Sequence, residues 1–326
     1  MILVTGATGF VGNHVARALL AKGEAVRILV RKTSNLAQLS DLPQLEKAVG
    51  DLRDRASLDA AVKGCTMLFH VAADYRFDVS DPADVYRSNV EGTQSLLEAA
   101  GQAGLKRIVY TSTVGCIGFI KDGLATEDSP CSIDRMVGTY KRTKFQAEQV
   151  ALELARKGLP VVIVNPTAPV GEYDAKPTPT GDMIVRFLKR QMPAVIDTGL
   201  NLIDVRDCAQ GHVLAAEKGK IGERYILGCK NMSLMEIGQA LSKISGLPAP
   251  KFKLPYAIAY LAGWFSTKSA LMLGKTPSIS LEGVRMAKKK MWVDGSKAVR
   301  DLGLPQTPPE EALARAVKWY REKGYA

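Results

Sequence analysis

The chain has 326 residues, 46% of them apolar and 24% charged. It is therefore globular, and it divides into two unequal lobes because single cores stop growing near roughly 250–300 residues. Five cysteines without a C-x-x-C pair and three scattered histidines exclude metal-ligand spacing and fit a reducing cytoplasm. The net charge of +11 would suit nucleic acid, anionic lipid or phosphorylated ligands. Its basic residues are spread out and seldom interleaved with aromatics, so nucleic acid is not an expected partner.

Met1-Ile2-Leu3-Val4 is a short apolar run that passes into Thr5-Gly6-Ala7-Thr8-Gly9-Phe10-Val11-Gly12. Apolar residues then recur at Val15, Ala18 and Leu19, so a buried strand runs through a glycine turn into a helix. Gly6 turns the chain, Gly9 lets backbone approach a ligand, and Gly12 lets helix pack on strand. The helix start offers free N–H groups to a pyrophosphate, which makes Gly6, Thr8, Gly9, Phe10, Val11 and Gly12 the expected cofactor contacts. A tight turn without a ligand is the alternative. With a strand beginning at residue 1, no signal peptide is expected.

Lys22-Gly23 ends that helix, and Ala25–Val30 reads as the second strand of a right-handed βαβ unit. Arg31-Lys32 follows, where an acid would hold the ribose of NAD; two cations suit a 2′-phosphate, hence NADP(H), or else are merely solvated. Residues 48–52 read as a third strand, with Asp54 capping a helix to Lys63. Residues 67–73 read as the fourth strand, in which the small Ala72 and Ala73 let backbone approach the cofactor and His70 is a packed core residue. A long helix opens at Asp81-Pro82. A fifth strand over residues 105–110 carries Thr111-Ser112-Thr113 to the carboxyl edge of a parallel sheet, where ligands bind.

From Gly138 to Lys157 a helix places Tyr140 and Lys144 on one face. An ammonium about 4 Å from a phenol is worth roughly 4 kcal/mol at an effective dielectric of 20, on the order of three pKa units before screening. A tyrosine made acidic in this way trades protons near neutrality.

Thr5-Gly6-x-x-Gly9-x-x-Gly12, Asp51-Leu52, His70-Val71-Ala72-Ala73, Asn89-Val90-x-Gly92-Thr93, Thr111-Ser112-Thr113 and Tyr140-x-x-x-Lys144 occur in the order of the extended short-chain dehydrogenase/reductases, which the chain resembles over nearly its whole length. The resemblance implies a doubly wound Rossmann α/β domain with a smaller mixed α/β substrate lobe. It implies Tyr140 as general acid/base, Lys144 as its partner and as a grip on the nicotinamide ribose, and Thr113 on the reacting oxygen, with Ser112 as fallback. It puts Asp51, beside Leu52, on the adenine, a second helix cap being the alternative. Thr111 and the segment Asn165–Gly171, with Pro166 and Thr167, fall beside the nicotinamide. The strings 176–181 and 197–202 further resemble the hopanoid-associated sugar epimerases.

After a sixth strand over 160–164, residues 172–182 read as a loop lining the substrate cleft, 183–191 as a helix, 202–205 as a strand and 207–218 as a helix. Ser233-Leu234-Met235-Glu236 is a capping box, and Thr307-Pro308-Pro309-Glu310 starts the last helix. Leu254–Leu273, with Tyr256, Tyr260, Trp264 and Phe265, is expected to be a buried helix, with a lipid-facing surface as the alternative. Lys288-Lys289-Lys290 reads as a solvated helix end. The expected division is 1–171, completed near 202–218, for the dinucleotide, and mostly 172–326 for the substrate.

The sequence thus points to a cytoplasmic NADP(H)-dependent oxidoreductase without a metal, acting on a small-molecule or lipid-linked carbonyl or secondary alcohol. A sugar epimerase that keeps its cofactor and a non-catalytic NADP sensor are the rival readings. A peripheral membrane contact and a homodimer stay open. Nucleotide-sugar members of the family carry an arginine just before the strand at Leu202–Val205, where this chain has Leu200 and Asn201. With the apolar Leu254–Leu273 stretch, that departure favours a hydrophobic molecule with a sugar-like or polyol group, such as a hopanoid side chain; Arg186, Lys189, Arg190 and Arg206 are the alternative sources of the missing charge, and small amphipathic ketones of the flavonoid-like type are the alternative substrates.

Overall fold

The computed structural model describes residues 1–75, 81–121, 123–272, 281–288 and 290–326. Leu273, at the end of the long apolar stretch, and Lys289 of the lysine run lie outside the described residues.

The large sheet takes β1 (Ile2–Thr5), β2 (Val26–Val30), β3 (Glu46–Val49), β4 (Met67–His70), β5 (Arg107–Thr111) and β6 (Val161–Pro166). After β7 (Ala168–Val170), β8 (Ala194–Ile196) and β9 (Gly199–Asp204), β10 (Arg224–Leu227) returns to it. All seven strands are parallel, in the order β10-β6-β5-β4-β1-β2-β3. A parallel sheet is covered on both faces, which is why its strands read as continuous apolar runs. Alternation then sorts them. Val4, Val109, Val162 and Val164 join one core, while Leu3, Ile108 and Ile163 join the other.

α1 (Phe10–Ala21) packs on one face. On the other lies α2 (Arg55–Val62), capped by Asp54, whose carboxylate accepts from the Ser57 N–H. The long helix expected from Asp81 forms, with one irregularity: α3 (Pro82–Tyr86) runs through a π-turn at Arg87–Glu91 directly into α4 (Gly92–Gln102). Such turns interrupt helices mostly at functional sites, and this one swings Asn89 toward the sheet edge. α4 and α5 (Gly138–Arg156) cover the same face as α2. The third strand stops at Val49, so Gly50, Asp51 and Leu52 belong to the following loop.

The second lobe begins where the chain leaves β6 and enters β7. A three-stranded sheet, β11 (Lys230–Ser233)-β9-β7, and a two-stranded pair of β8 with β12 (Phe252–Leu254) carry α6 (Pro179–Leu188), α8 (Leu234–Ser245) and α12 (Pro309–Glu322). Between them α7 (Val205–Lys218) packs back on α1. α6 starts earlier than the sequence indicates: Pro179 occupies its first turn, where a missing N–H is harmless, and Thr178 caps it through the Gly181 N–H at 3.2 Å. The capping box at Ser233 forms, with Glu236 accepting from the Ser233 N–H at 2.7 Å.

α9 (Tyr256–Met272), α10 (Leu281–Met286) and α11 (Ser296–Leu302) complete the chain before α12. The expectation of a buried helix over the apolar stretch is overturned. α9 buries only Ala259, Gly263 and Ala270 among its residues of described burial, and it exposes Ile258, Leu261, Trp264 and Phe265. Small residues lie on the side that meets the protein, so apolar content alone misreads which face is covered.

Candidate active site

The sheet order reverses between β1 and β4, and ligands of open α/β sheets bind in the crevice outside the carboxyl ends at such a point. The glycine turn after β1 meets the segment after β4 there. At Gly6, where φ is +74°, a Cβ would stand 2.7 Å from the Ala72 nitrogen. At Gly12 it would stand 2.2 Å from the Gly6 carbonyl oxygen, so helix and turn touch backbone to backbone. Gly9 differs: only the Gly6 oxygen, at 3.3 Å, lies within 4 Å of its added Cβ, which leaves its outer side open. No side chain caps α1 at Gly9, so the first-turn N–H groups of Phe10, Val11 and Gly12 have no protein acceptor from a cap. A dinucleotide pyrophosphate fits this cradle, with Thr8 exposed beside it.

Arg31 and Lys32 are exposed immediately past β2. Asp51 does not cap a helix. Its carboxylate takes the Arg53 guanidinium at 3.1 Å and the Arg53 N–H at 3.0 Å. Arg53, foremost, and the nearby Arg31 hold that carboxyl below its ordinary range. Leu52 is half-buried beneath Gly92, where an added Cβ would stand 2.8 Å from the Leu52 Cβ. Arg53 is a third cation at this end that the sequence reading missed; its signal was the i, i+2 spacing from Asp51.

Three of the expected residues act through other contacts than a free side chain. The Thr111 hydroxyl is buried against His212 Nε2 at 3.0 Å. His212 Nδ1 lies 2.7 Å from the Cys208 carbonyl, so Nδ1 carries the proton and Nε2 accepts from Thr111. Thr167 donates its hydroxyl to the Leu227 carbonyl at 3.1 Å, and Pro166 closes β6. His70 is fully buried between Thr5 Oγ1 at 2.8 Å and Thr93 Oγ1 at 2.9 Å, the packed core residue that its apolar run implied.

Thr113, Tyr140 and Lys144 converge at the end of β5. Tyr140 is half-buried and its hydroxyl is hydrogen-bonded to Thr113. Thr113 Oγ1 also accepts the Gly115 N–H at 3.1 Å. Ser112 is buried, its hydroxyl without a hydrogen-bond partner among the described residues, so Thr113 is the hydroxyl the cleft can reach. Lys144 is 2% exposed and donates to the Thr111 carbonyl at 2.6 Å and the Tyr110 hydroxyl at 2.9 Å.

The electrostatics differ from the sequence expectation. Burial foremost raises the Tyr140 hydroxyl above its ordinary range, opposed by the Thr113 bond, and Lys144 is not among the groups acting on it. Burial also brings the Lys144 ammonium down to about 8, against the pull of Cys116 and Glu148. The helical i, i+4 spacing set the two residues on one face, but the ammonium turned toward stronger acceptors on β5.

Asn89 is a residue for which the sequence reading found a motif but no role. From the π-turn it accepts the Asp74 N–H at 2.7 Å, donates to the Asp74 carbonyl at 2.9 Å and reaches Thr143 Oγ1 at 3.1 Å. It therefore ties the segment that follows Ala72 and Ala73 to the helix bearing Tyr140.

The model of the NAD dependent epimerase/dehydratase family matches residues 2–228. A putative dihydroflavonol 4-reductase of Synechocystis sp. is 49% identical over 99% of this chain and 95% of its own length. Sterol demethylase protein B of Methylococcus capsulatus is 36% identical over 99% of this chain and 98% of its own. A dTDP-glucose 4,6-dehydratase from Streptomyces venezuelae, solved with NAD bound, superposes with a TM-score of 0.78 at 27% identity, covering 99% of this chain and 98% of that one. The chain belongs to the NAD dependent epimerase/dehydratase family, the extended short-chain dehydrogenase/reductases, and is an enzyme of that type with a nicotinamide dinucleotide as its class of cofactor.

Proposed function

We propose that this enzyme is an NADP(H)-dependent reductase of a carbonyl on a hydrophobic molecule carrying a sugar-like or polyol group, of the hopanoid type. The hydrogen-bonded pair Thr113–Tyr140, at the strand end beside the glycine cradle, carries the reading. When bound, the nicotinamide dinucleotide would supply the hydride for the substrate carbonyl. Thr113 holds the carbonyl oxygen and Tyr140 gives it a proton; a phenol raised by burial keeps that proton at neutral pH until the oxygen becomes basic. Lys144 fixes the floor of the site by donating to the Thr111 carbonyl and the Tyr110 hydroxyl, which holds α5, and with it Tyr140, against the end of β5.

Arg31, Lys32 and Arg53 favour the 2′-phosphate of NADP, and Asp51 stands beside them for the adenosine. The polyol-lipid reading draws on the side chains where a sugar diphosphate would need a cation. Asn201 is buried and bonded to Asn231 at 3.0 Å and to the Cys229 N–H at 3.0 Å. Arg206 is paired with Glu172 at 2.7 Å and Arg186 with Asp182 at 2.6 Å. The sterol in the name of one relative points the same way.

The test incubates protein and NADPH with a panel of polyol lipids, aromatic ketones and UDP-, GDP- and dTDP-sugars, and follows nicotinamide absorbance. Net NADPH consumption with a hydrophobic carbonyl is expected. Epimer formation without a change in absorbance would make the enzyme an epimerase, and micromolar binding of a nucleotide sugar would reverse the substrate assignment.

A further inference from the structure

α9 is apolar nearly all round, and its large side chains are the ones left uncovered. Ala259, Gly263 and Ala270 lie against the protein, while Ile258, Leu261 and Phe265, at i, i+3 and i+7, form one exposed stripe with Trp264 at its flank. Leu261 is 57% and Phe265 64% exposed. Exposed apolar residues scattered singly need no explanation, but four on one helix do. Among the described residues no helix is long and apolar enough to cross a membrane.

The sequence around this stripe is predominantly basic, with Lys253 and Lys290 paired to Asp197 at 3.0 and 3.8 Å. Residues 251–290 contain eight lysines and arginines against one acid, Glu282. Lys268 is exposed on α9 itself, and Lys288 and Arg285 approach the rings of Tyr256 and Tyr260 at 5.9 and 6.0 Å. The same region connects to the catalytic helix. Beyond α10, the Ala125 N–H donates to the Trp292 carbonyl at 3.2 Å, and Met291 Sδ lies 3.9 Å from Nζ of Lys141, the neighbour of Tyr140.

From this combination we propose that α9 is a monotopic docking helix: it lays its Ile258–Leu261–Phe265 stripe into the interface of an anionic bilayer while Lys268, Arg285 and Lys288 meet the headgroups. An apolar face with a basic border is the chemistry of an interfacial helix on anionic lipid. A second copy of the chain fits less well, because a two-fold contact would set the same basic border against itself. Met291 and Trp292, which follow α10 in the chain, link this part of the protein to Ala125 and to Lys141 of the helix that carries Tyr140.

The experiment is sedimentation of the full chain, saturated with NADPH, with vesicles of phosphatidylcholine alone or with about one-third phosphatidylglycerol. It reads binding and not turnover, so its failure is separate from failure of the proposed reaction. Binding to the anionic vesicles is expected, reduced at about 0.5 M salt. The double variant Leu261→Ser/Phe265→Ser should lower it by about ten-fold or more, and Lys268→Glu/Lys288→Glu should weaken it as well. NADPH affinity should be unchanged in both, showing that they fold. Equal binding to neutral vesicles, or no binding to either, would overturn the proposal. So would a dimer in solution that Leu261→Ser/Phe265→Ser dissociates, which would assign the face to a second copy.

Discussion

Lys144 Nζ stands 2.6 Å from the main-chain carbonyl of Thr111, so the ammonium crosses from α5 to the last residue of β5. With the Tyr110 hydroxyl as its second acceptor, this contact ties α5, which carries Tyr140, to the sheet edge and draws the ammonium away from Tyr140. Removing the ammonium takes away both that tie and the positive charge beneath the site. Lys144→Met is expected to impair cofactor binding and turnover together. Cofactor titration alongside steady-state kinetics checks this.

Tyr140→Phe separates chemistry from binding. It deletes the hydroxyl bonded to Thr113 and keeps the ring, so NADP(H) affinity should hold while turnover falls by roughly 10²–10⁴. Turnover that survives the change, measured with any carbonyl the enzyme accepts, would assign the proton to another group.

Cofactor choice is tested at Arg31. Arg31→Ala should cost on the order of 1–3 kcal/mol of NADPH affinity through loss of a charge-assisted phosphate contact, and leave NADH nearly unaffected. Fluorescence titration of both nucleotides decides it. Equal affinity of the unaltered protein for NADH and NADPH would refute the NADP assignment.

Two glycines of the same turn should behave differently. Gly12→Ala forces a methyl to within 2.2 Å of the Gly6 oxygen, so the turn must shift, with an expected loss of about 1–3 kcal/mol in stability and of cofactor binding. At Gly9 the nearest atom is the Gly6 oxygen at 3.3 Å. Gly9→Ala should therefore keep stability within about 1 kcal/mol yet lose affinity, because the methyl enters the ligand's space. Thermal unfolding with and without NADPH distinguishes the two.

Stability should fall on mild acidification. Burial lowers His70 to about 3 and His212 to about 4, so both stay neutral in the fold. The unfolded chain takes up those protons near pH 6.5, so it binds more protons than the native state from about pH 6.5 down to the folded values, and stability drops across that window. Lys144 acts at the other end: with a folded value of about 8, the strain of its buried charge is relieved as pH rises from about 8 toward its unfolded value near 10.5. His212→Gln should remove about 2 kcal/mol of the loss between pH 7 and pH 5. Urea midpoints at the two pH values check it.

The nucleotide half of the fold was legible in the sequence because local chemistry dictates it. A strand-glycine-helix junction has few backbone solutions, and β-branched runs of four to six residues between helices are sufficient to imply a parallel sheet. The capping box at Ser233 and the cap at Asp54 were equally local, each a side chain satisfying its own helix start. Tyr140 and Lys144 could be placed on one face by helical period alone.

What only tertiary structure decided was the direction of each long side chain and the partner of each face. Lys144 turned to Thr111 and Tyr110, and the Thr111 hydroxyl went to His212, because each found a stronger or nearer partner from a distant segment. The π-turn at Asn89 and the exposure of α9 followed the same logic. A sequence shows that a helix is apolar, but which side is covered depends on whether small residues allow the rest of the protein to come close. Ala259, Gly263 and Ala270 do so, and the large residues are left outside.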